Sequence, residues 1–129
     1  MDLDQPDNRL VILVVEDEPL VRALVVDALE DEDFVVVEAP TGDEALRVLQ
    51  ARSDIAVVLT DVDMPGEIDG FQLARIAREM YPQVVVIVVS GGVRSGFSGT
   101  APDARFVSKP YTPRLIIHII REMTSRRPH

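Results

Sequence analysis

The sequence predicts an α/β domain, a doubly wound five-stranded parallel sheet with helices on both faces, and three observations carry that prediction. Short β-branched apolar runs alternate along the chain with longer amphipathic segments. Runs such as Leu10–Val15 and Val84–Val89 are apolar at every position rather than at alternate ones, as strands covered on both faces must be. A length of 129 residues suits one domain, and a chain of that size buries about two thirds of its unfolded surface.

The elements follow in order. Leu10–Val15 is the first strand, and Pro19–Asp31 the first helix, opened by a proline at an early position where the missing N–H costs nothing. Phe34–Glu38 is the second strand; the helix Thr41–Ala51 has Thr41 as N-cap with Glu44 three residues on. Ile55–Thr60 is the third strand, followed by a helix over Gly70–Met80 that Asp69 can cap. Val84–Val89 and Arg105–Ser108 are the fourth and fifth strands, and the helix Thr112–Met123 closes the chain with Thr112 as cap and Pro113 in its first turn. Strands alternating with helices imply right-handed crossovers and parallel pairing. One interval breaks the pattern. Between Ser90 and Ala104, where a fourth crossover helix belongs, stand Gly91, Gly92, Gly96 and Gly99, four of the seven glycines, and then Pro102. An interior glycine costs about 1 kcal/mol, so this helix is expected to be short or irregular. Residues 1–8 are expected to be a flexible tail, 9–124 the domain, and 125–129 a second tail; there is no repeat and no linker.

Composition removes several functions. Zero cysteines exclude disulfides, thiolate chemistry and Cys-ligated zinc. The longest apolar runs have six residues, against the roughly 18 a membrane helix needs. The start Met1-Asp2-Leu3-Asp4 lacks a signal-peptide pattern. A soluble, cytoplasmic protein is expected. Net charge is −9, but residues 1–70 carry 4 basic and 19 acidic side chains (−15) while residues 71–129 carry 9 and 3 (+6). A surplus of acid argues against bulk nucleic-acid binding.

The acids are also placed. In an open α/β sheet, function gathers outside the carboxyl ends of the strands. Strand one runs into Glu16-Asp17-Glu18, strand three into Asp61, strand four into Ser90 and strand five into Lys109-Pro110. Parallel pairing brings these ends to one edge, which assembles carboxylates, a hydroxyl and an ammonium. Clustered carboxylates raise one another's pKa unless a cation offsets them, and hard oxygen ligands of this kind suit Mg²⁺. Lys109 is the only lysine among the 13 basic residues; its ammonium is a movable point charge where a guanidinium would be a bulkier fork.

The stretch Val11-Ile12-Leu13-Val14-Val15-Glu16-Asp17-Glu18-Pro19, then Leu59-Thr60-Asp61-Val62-Asp63-Met64-Pro65-Gly66 with Asp69-Gly70, then Val88-Val89-Ser90-Gly91, then Phe106-Val107-Ser108-Lys109-Pro110-Tyr111 resembles the receiver domain of two-component response regulators. Each piece is weak alone, but the four in this order at successive strand ends make a specific joint signal over residues ~9–124. The resemblance implies a flavodoxin-like sheet of order 2-1-3-4-5. It implies that Asp61 is the nucleophile taking phosphate from a phosphohistidine on a sensor histidine kinase or histidine phosphotransfer protein. By the same resemblance Glu16, Asp17 and Asp61 hold Mg²⁺ together with the backbone carbonyl of Asp63, Lys109 and Ser90 contact phosphoryl oxygens, Ser90 and Phe106 form a coupled switch, and Lys109-Pro110 is cis. A protein of this type is not an enzyme beyond self-phosphorylation from small donors and autodephosphorylation.

Plainer readings stand beside these. Glu16-Asp17 could only open a loop and cap a helix, Asp61 and Asp63 could be turn residues before Pro65, Ser90 a loop serine, and Phe106 plain core. His118 reads as an exposed helix residue and not a phosphodonor, and Gly42, Gly66 and Gly70 read as turn glycines. The chain departs from the family pattern in one extra residue between Met64-Pro65-Gly66 and Asp69-Gly70, in Gly91, and in the glycine-rich interval. With only Ser125–His129 after the last helix, output is expected through contact with a downstream protein rather than direct binding of DNA. The apolar arc of that helix spans ~200°, wider than the ~100° that covers a sheet; Ile117 and Ile120 are therefore expected to stay exposed as a homodimer or partner patch. Two alternatives remain: a pseudo-receiver that binds partners without phosphorylation, and a haloacid-dehalogenase-like phosphohydrolase using Asp61-Val62-Asp63.

Overall fold

Five apolar segments pair into one parallel sheet in a computed structural model that describes residues 9–91 and 104–125. The strands are β1 (Val11–Val15), β2 (Val35–Ala39), β3 (Ile55–Asp61), β4 (Val85–Ser90) and β5 (Arg105–Ser108). The helices are α1 (Pro19–Asp31), α2 (Gly42–Ala51), α3 (Gly70–Met80) and α4 (Pro113–Ser125). The strand order is β2-β1-β3-β4-β5, with every pair parallel, so the predicted fold class and order hold. The expectation of a short or irregular helix after β4 falls outside the described residues. Among those described, no helix is long and apolar enough to cross a membrane.

Local chemistry accounts for the boundaries. Pro19 opens α1, whose N-cap Glu18 makes no side-chain cap bond. The Thr41 hydroxyl accepts the Glu44 N–H at 3.1 Å to start α2. Asp69 and Gln72 form a reciprocal capping box at the start of α3, with two bonds of 2.9 Å. The Thr112 hydroxyl accepts the Leu115 N–H at 3.2 Å to start α4. Two strands run one residue beyond the sequence reading: Asp61 stays in register with Val89, and Ser90 with Ser108. Asp61 and Ser90 are therefore the last rungs of a ladder and not the first residues of loops.

Two layers of core cover the sheet. On one face, Leu13, Val58, Val86 and Val88 pack with Ala45 and Leu49 of α2 and Leu73, Ala74 and Ala77 of α3. On the other, Ile12, Val57, Ile87 and Val107 pack with Val25, Val26 and Leu29 of α1 and Ile116, Ile119 and Ile120 of α4. Each of the valines, leucines and isoleucines contributes about 1.5–3 kcal/mol by leaving water. The expectation that Ile117 and Ile120 remain exposed is overturned: Ile117 is 9% exposed and Ile120 fully buried. The reason is that α4 is covered on two sides. It lies on the sheet and also against α1, where Arg121 pairs with Glu32 at 2.9 Å, so an arc wider than one sheet face finds a second apolar neighbour. The apolar side chain that α4 does leave in water is Leu115.

The turn reading of three glycines needs the same correction. Only Gly66 has a left-handed φ, +102°. Gly42 and Gly70 are the first residues of helices and are needed for close approach: a Cβ on Gly70 would sit 2.1 Å from the Asp61 carbonyl oxygen, and one on Gly42 2.3 Å from that of Ile68.

Candidate functional site

Strand ends place the site. Glu16 follows β1 directly, its N–H bonded to the Ala39 carbonyl at 3.1 Å, so the residue continues the β1–β2 ladder by one rung. Its carboxylate Oε2 accepts the Glu18 N–H at 3.0 Å, which turns the side chain back over the start of α1. Asp61 ends β3, and the next residue is held to β4 by the bond from the Val62 N–H to the Val89 carbonyl at 3.0 Å. The Lys109 N–H donates to the Ser90 carbonyl at 2.7 Å, which ties the end of β5 to the end of β4, and the Lys109-Pro110 peptide is cis.

These constraints bring three carboxylates together. One oxygen from each of Glu16, Asp17 and Asp61 lies within 4.8 Å of the others. Glu16 and Asp61 are each 6% exposed, while Asp17 is half-buried. The Lys109 ammonium donates to Asp61 Oδ2 at 2.7 Å and stands 4.0 Å from Glu16 Oε1. The other Asp61 oxygen, Oδ1, accepts the Asp63 N–H at 3.2 Å.

One ammonium does not balance three acids. Burial pushes the Glu16 carboxyl up to about 7, and the charge of Asp61 and a hydrogen bond with Asp17 push the same way; the Glu18 N–H and Lys109 oppose them. For Lys109, burial favours the neutral amine, but the hydrogen bond and charge of Asp61 and the charge of Glu16 outweigh it, so the ammonium is held above its usual value. Tyr111, beside the same edge, is raised by burial and then by the charge of Glu16.

Asp63 stands apart from the group. Its side chain is exposed, and it is not among the three acids that converge. Its main-chain N–H donates to Asp61 Oδ1. Ser90 is fully buried at the end of β4, and Phe106, half-buried on β5, packs on the α2–α3 side of the sheet in register with Val88. His118 is exposed on α4, as read from the sequence.

The loop between Asp61 and α3 is pinned by two hydrogen bonds. The Gly70 N–H closes it onto the Val62 carbonyl at 3.0 Å, and its far side is held where Asp43 Oδ1 accepts the Ile68 N–H at 3.2 Å. Gly66 in this loop has φ +102°, a conformation that glycine adopts without strain.

Three features escaped the sequence reading. Asp43 is one, since a bond across 25 residues has no local signature. Arg22 is another: it reaches from α1 back to the main chain of Glu16. The third is a groove of about 430 Å³ beside Lys109, lined by Val21, Leu24, Val25, Pro110, Tyr111 and Pro113. Leu24 and the neighbouring Leu20 are 68% and 79% exposed. A signal for them existed, because the α1 sequence PLVRALVVDALED has more apolar residues than one buried stripe can use.

Comparisons with known proteins agree with this geometry. The family model described as the response regulator receiver domain matches residues 12–121. The chain is 35% identical over 120 residues to the sensor kinase CckA of Brucella abortus, covering 90% of this chain and 13% of that protein. It is 32% identical over 124 residues to the transcriptional regulatory protein ResD of Bacillus subtilis, covering 92% of this chain and 50% of that one. The chain thus spans at most about half the length of these relatives. Among solved structures, a response regulator receiver protein from Sinorhizobium medicae matches with a TM-score of 0.87 and 27% identity over 94% of this chain and 98% of that one. A CheY-like receiver domain protein from Methanospirillum hungatei matches with a TM-score of 0.84 and 26% identity over 92% and 95%.

Proposed function

The chain belongs to the response regulator receiver domain family, and on that premise we propose that it is a phosphoryl-accepting switch in which Asp61 takes phosphate from a phosphohistidine of a sensor histidine kinase or histidine phosphotransfer protein. The observation that carries the proposal is the setting of Asp61: a buried carboxylate at a strand end, gripped by the chain's single lysine at 2.7 Å and sharing its pocket with two more acids.

The transfer is a displacement at phosphorus. An Asp61 carboxylate oxygen forms the new O–P bond as the P–N bond of the phosphoimidazole breaks, and the bonding pair leaves with the imidazole nitrogen. Such a step needs charge neutralisation more than it needs a base. Lys109 supplies part of it, because its ammonium is already on Asp61 Oδ2 and has only to follow the negative charge onto a phosphoryl oxygen.

The donor set fits Mg²⁺. Three hard carboxylates converge within 4.8 Å, with one ammonium beside them, a donor set that suits a divalent cation. Glu16, Asp17 and Asp61 would hold the ion with the carbonyl of Asp63 as a further protein ligand. When bound, Mg²⁺ supplies neutralisation of the acceptor carboxylate and of a phosphoryl oxygen.

The apolar groove lined by Leu24, Tyr111 and Lys109 gives the protein donor a place to rest beside the lysine that holds Asp61. Ser90 then answers the phosphoryl group and Phe106 follows, so the β4–β5 face presents a different surface to a downstream protein. Residues 9–124 act as this unit in the cytoplasm. The protein turns over nothing except its own acyl phosphate. A hydrolase would want Asp63 poised as a second acid, but its side chain is exposed and outside the converging group.

The test is chemical trapping. After incubation with a phosphorylated phosphotransfer domain and Mg²⁺, borohydride reduction of the acyl phosphate followed by peptide mass mapping should mark Asp61. A mark on Asp63 or another acid, or no mark on folded protein that binds Mg²⁺, overturns the proposal.

A further inference from the structure

Arg22 lies on the second turn of α1, outside the group of acids, yet it is wired into them. Its Nη1 donates to the main-chain carbonyl of Glu16 at 2.6 Å, and its Nε donates to Glu38 Oε1 at 3.0 Å. The guanidinium therefore bridges the end of β1 and the end of β2, with its side chain only 20% exposed. The same short turn is held from two further points, by the Glu16 N–H on the Ala39 carbonyl at 3.1 Å and by the Glu18 N–H on Glu16 Oε2 at 3.0 Å. Three acids in sequence, Glu16-Asp17-Glu18, would otherwise drive this turn apart by mutual repulsion. A fixed cation bonded to the peptide between two of them opposes that, and a fork with two donors aimed at two different elements does it in a way a lysine cannot.

From this geometry we infer that Arg22, oriented by Glu38, is a positioning residue for the divalent-cation site: it holds the β1–α1 turn so that Glu16 and Asp17 face Asp61 before any ion arrives. The inference rests on the reading of Glu16, Asp17 and Asp61 as the Mg²⁺ site. Residues that hold a metal ligand in place commonly contribute about 10–100-fold in affinity when removed. Arg22 bonds to a main-chain atom rather than to a ligand oxygen, so the lower end applies.

The experiment measures Mg²⁺ affinity by calorimetry, repeated with Mn²⁺, alongside thermal midpoints, for wild type, Arg22→Gln, Arg22→Lys, Glu38→Ala and Glu38→Gln. Phosphorylation by phosphoramidate is followed as a function of Mg²⁺ concentration. Arg22→Gln should weaken Mg²⁺ binding about tenfold and shift the half-saturating Mg²⁺ concentration equally, while the rate at saturating Mg²⁺ stays within about twofold. Glu38→Ala, which leaves the guanidinium in place but unaimed, should give a smaller loss of about threefold. Glu38→Gln keeps an acceptor oxygen and should match wild type; Arg22→Lys should fall between wild type and Arg22→Gln. A lower thermal midpoint with unchanged Mg²⁺ affinity in both Arg22→Gln and Glu38→Ala means a purely structural role and overturns the inference. If Arg22→Gln does not fold, Glu38→Ala decides alone. Wild type that binds neither ion overturns the metal-site reading itself, a result distinct from wild-type affinity in the variants.

Discussion

The two halves of the sheet's carboxyl edge are built differently. On the β1–β3 side, Glu16 follows a strand buried along its whole length and Asp61 ends one buried except at Ala56; the Glu16 N–H is bonded to the Ala39 carbonyl and the Val62 N–H, next to Asp61, to the Val89 carbonyl. On the β4–β5 side, Ser90 ends an equally buried strand, but its neighbour β5 has four residues of which only Val107 is buried. Phosphoryl chemistry requires atoms held in place, and the proposed acceptor Asp61 and its neighbour Glu16 stand at the ends of the central strands. Switching requires an element that can take two positions at small cost, and Phe106 sits half-buried on the short edge strand. On the proposed reading, the comparison teaches that one edge can serve both needs by dividing them between its centre and its margin.

The largest expected effect comes from breaking the rigid half. Asp61→Asn keeps the shape of the side chain and should remove phosphorylation entirely, with circular dichroism unchanged. Next is Gly70→Ala, which forces a methyl to 2.1 Å from the Asp61 carbonyl oxygen. Overpacking of this kind costs about 1–3 kcal/mol, to be read from denaturant midpoints, and it should slow phosphorylation as well because it displaces the acceptor strand. A substitution of equal size on the margin should behave otherwise. Ser90→Ala is expected to keep phosphorylation while losing the phosphate-dependent change at Phe106, followed by NMR of the aromatic ring; a normal Phe106 response would place the switch elsewhere.

Glu16 provides a pH test of the same half. Its folded pKa of about 7 lies above the value of 4.5 for the free side chain. Between these pH values the native state binds more protons than the unfolded one, so the contribution of Glu16 to stability is complete below about 4.5 and is lost as pH rises through 7. Denaturation at pH 5 and pH 8 should show that loss, and saturating Mg²⁺ should cancel it. The smallest effect belongs to the groove: Leu24→Asp should leave stability unchanged, because the side chain is 68% exposed. It should lower the rate from a protein donor relative to that from a small donor by about tenfold, the scale of one interfacial anchor.

Much of the rigid half was legible in the sequence. The alternation of apolar runs and amphipathic segments specifies a parallel sheet, and once the strands are parallel, the residues after each run must share an edge. Glu16, Asp17, Asp61 and Lys109 are therefore found by position alone. The cap residues Thr41, Asp69 and Thr112 were legible for a similar reason, since capping is local. What was not legible depends on contacts between segments distant in sequence. Ile117 and Ile120 were misjudged because an arc of apolar residues does not say whether a helix meets one neighbour or two. Gly42 and Gly70 were misjudged because the need for close approach arises only when a loop docks on a helix start. Arg22 and Glu38, 16 residues apart, meet only because β2 lies beside β1.

The central claim of the proposal is that Asp61 is the phosphoacceptor and that the site it forms with Glu16 and Asp17 requires Mg²⁺. Intact-mass measurement of wild type and Asp61→Asn, incubated with acetyl phosphate and Mg²⁺ with and without EDTA, tests both parts together. The account predicts one phosphoryl adduct on wild type, lost with EDTA and absent from Asp61→Asn. An adduct that persists in Asp61→Asn, or that forms equally well with EDTA, would contradict it.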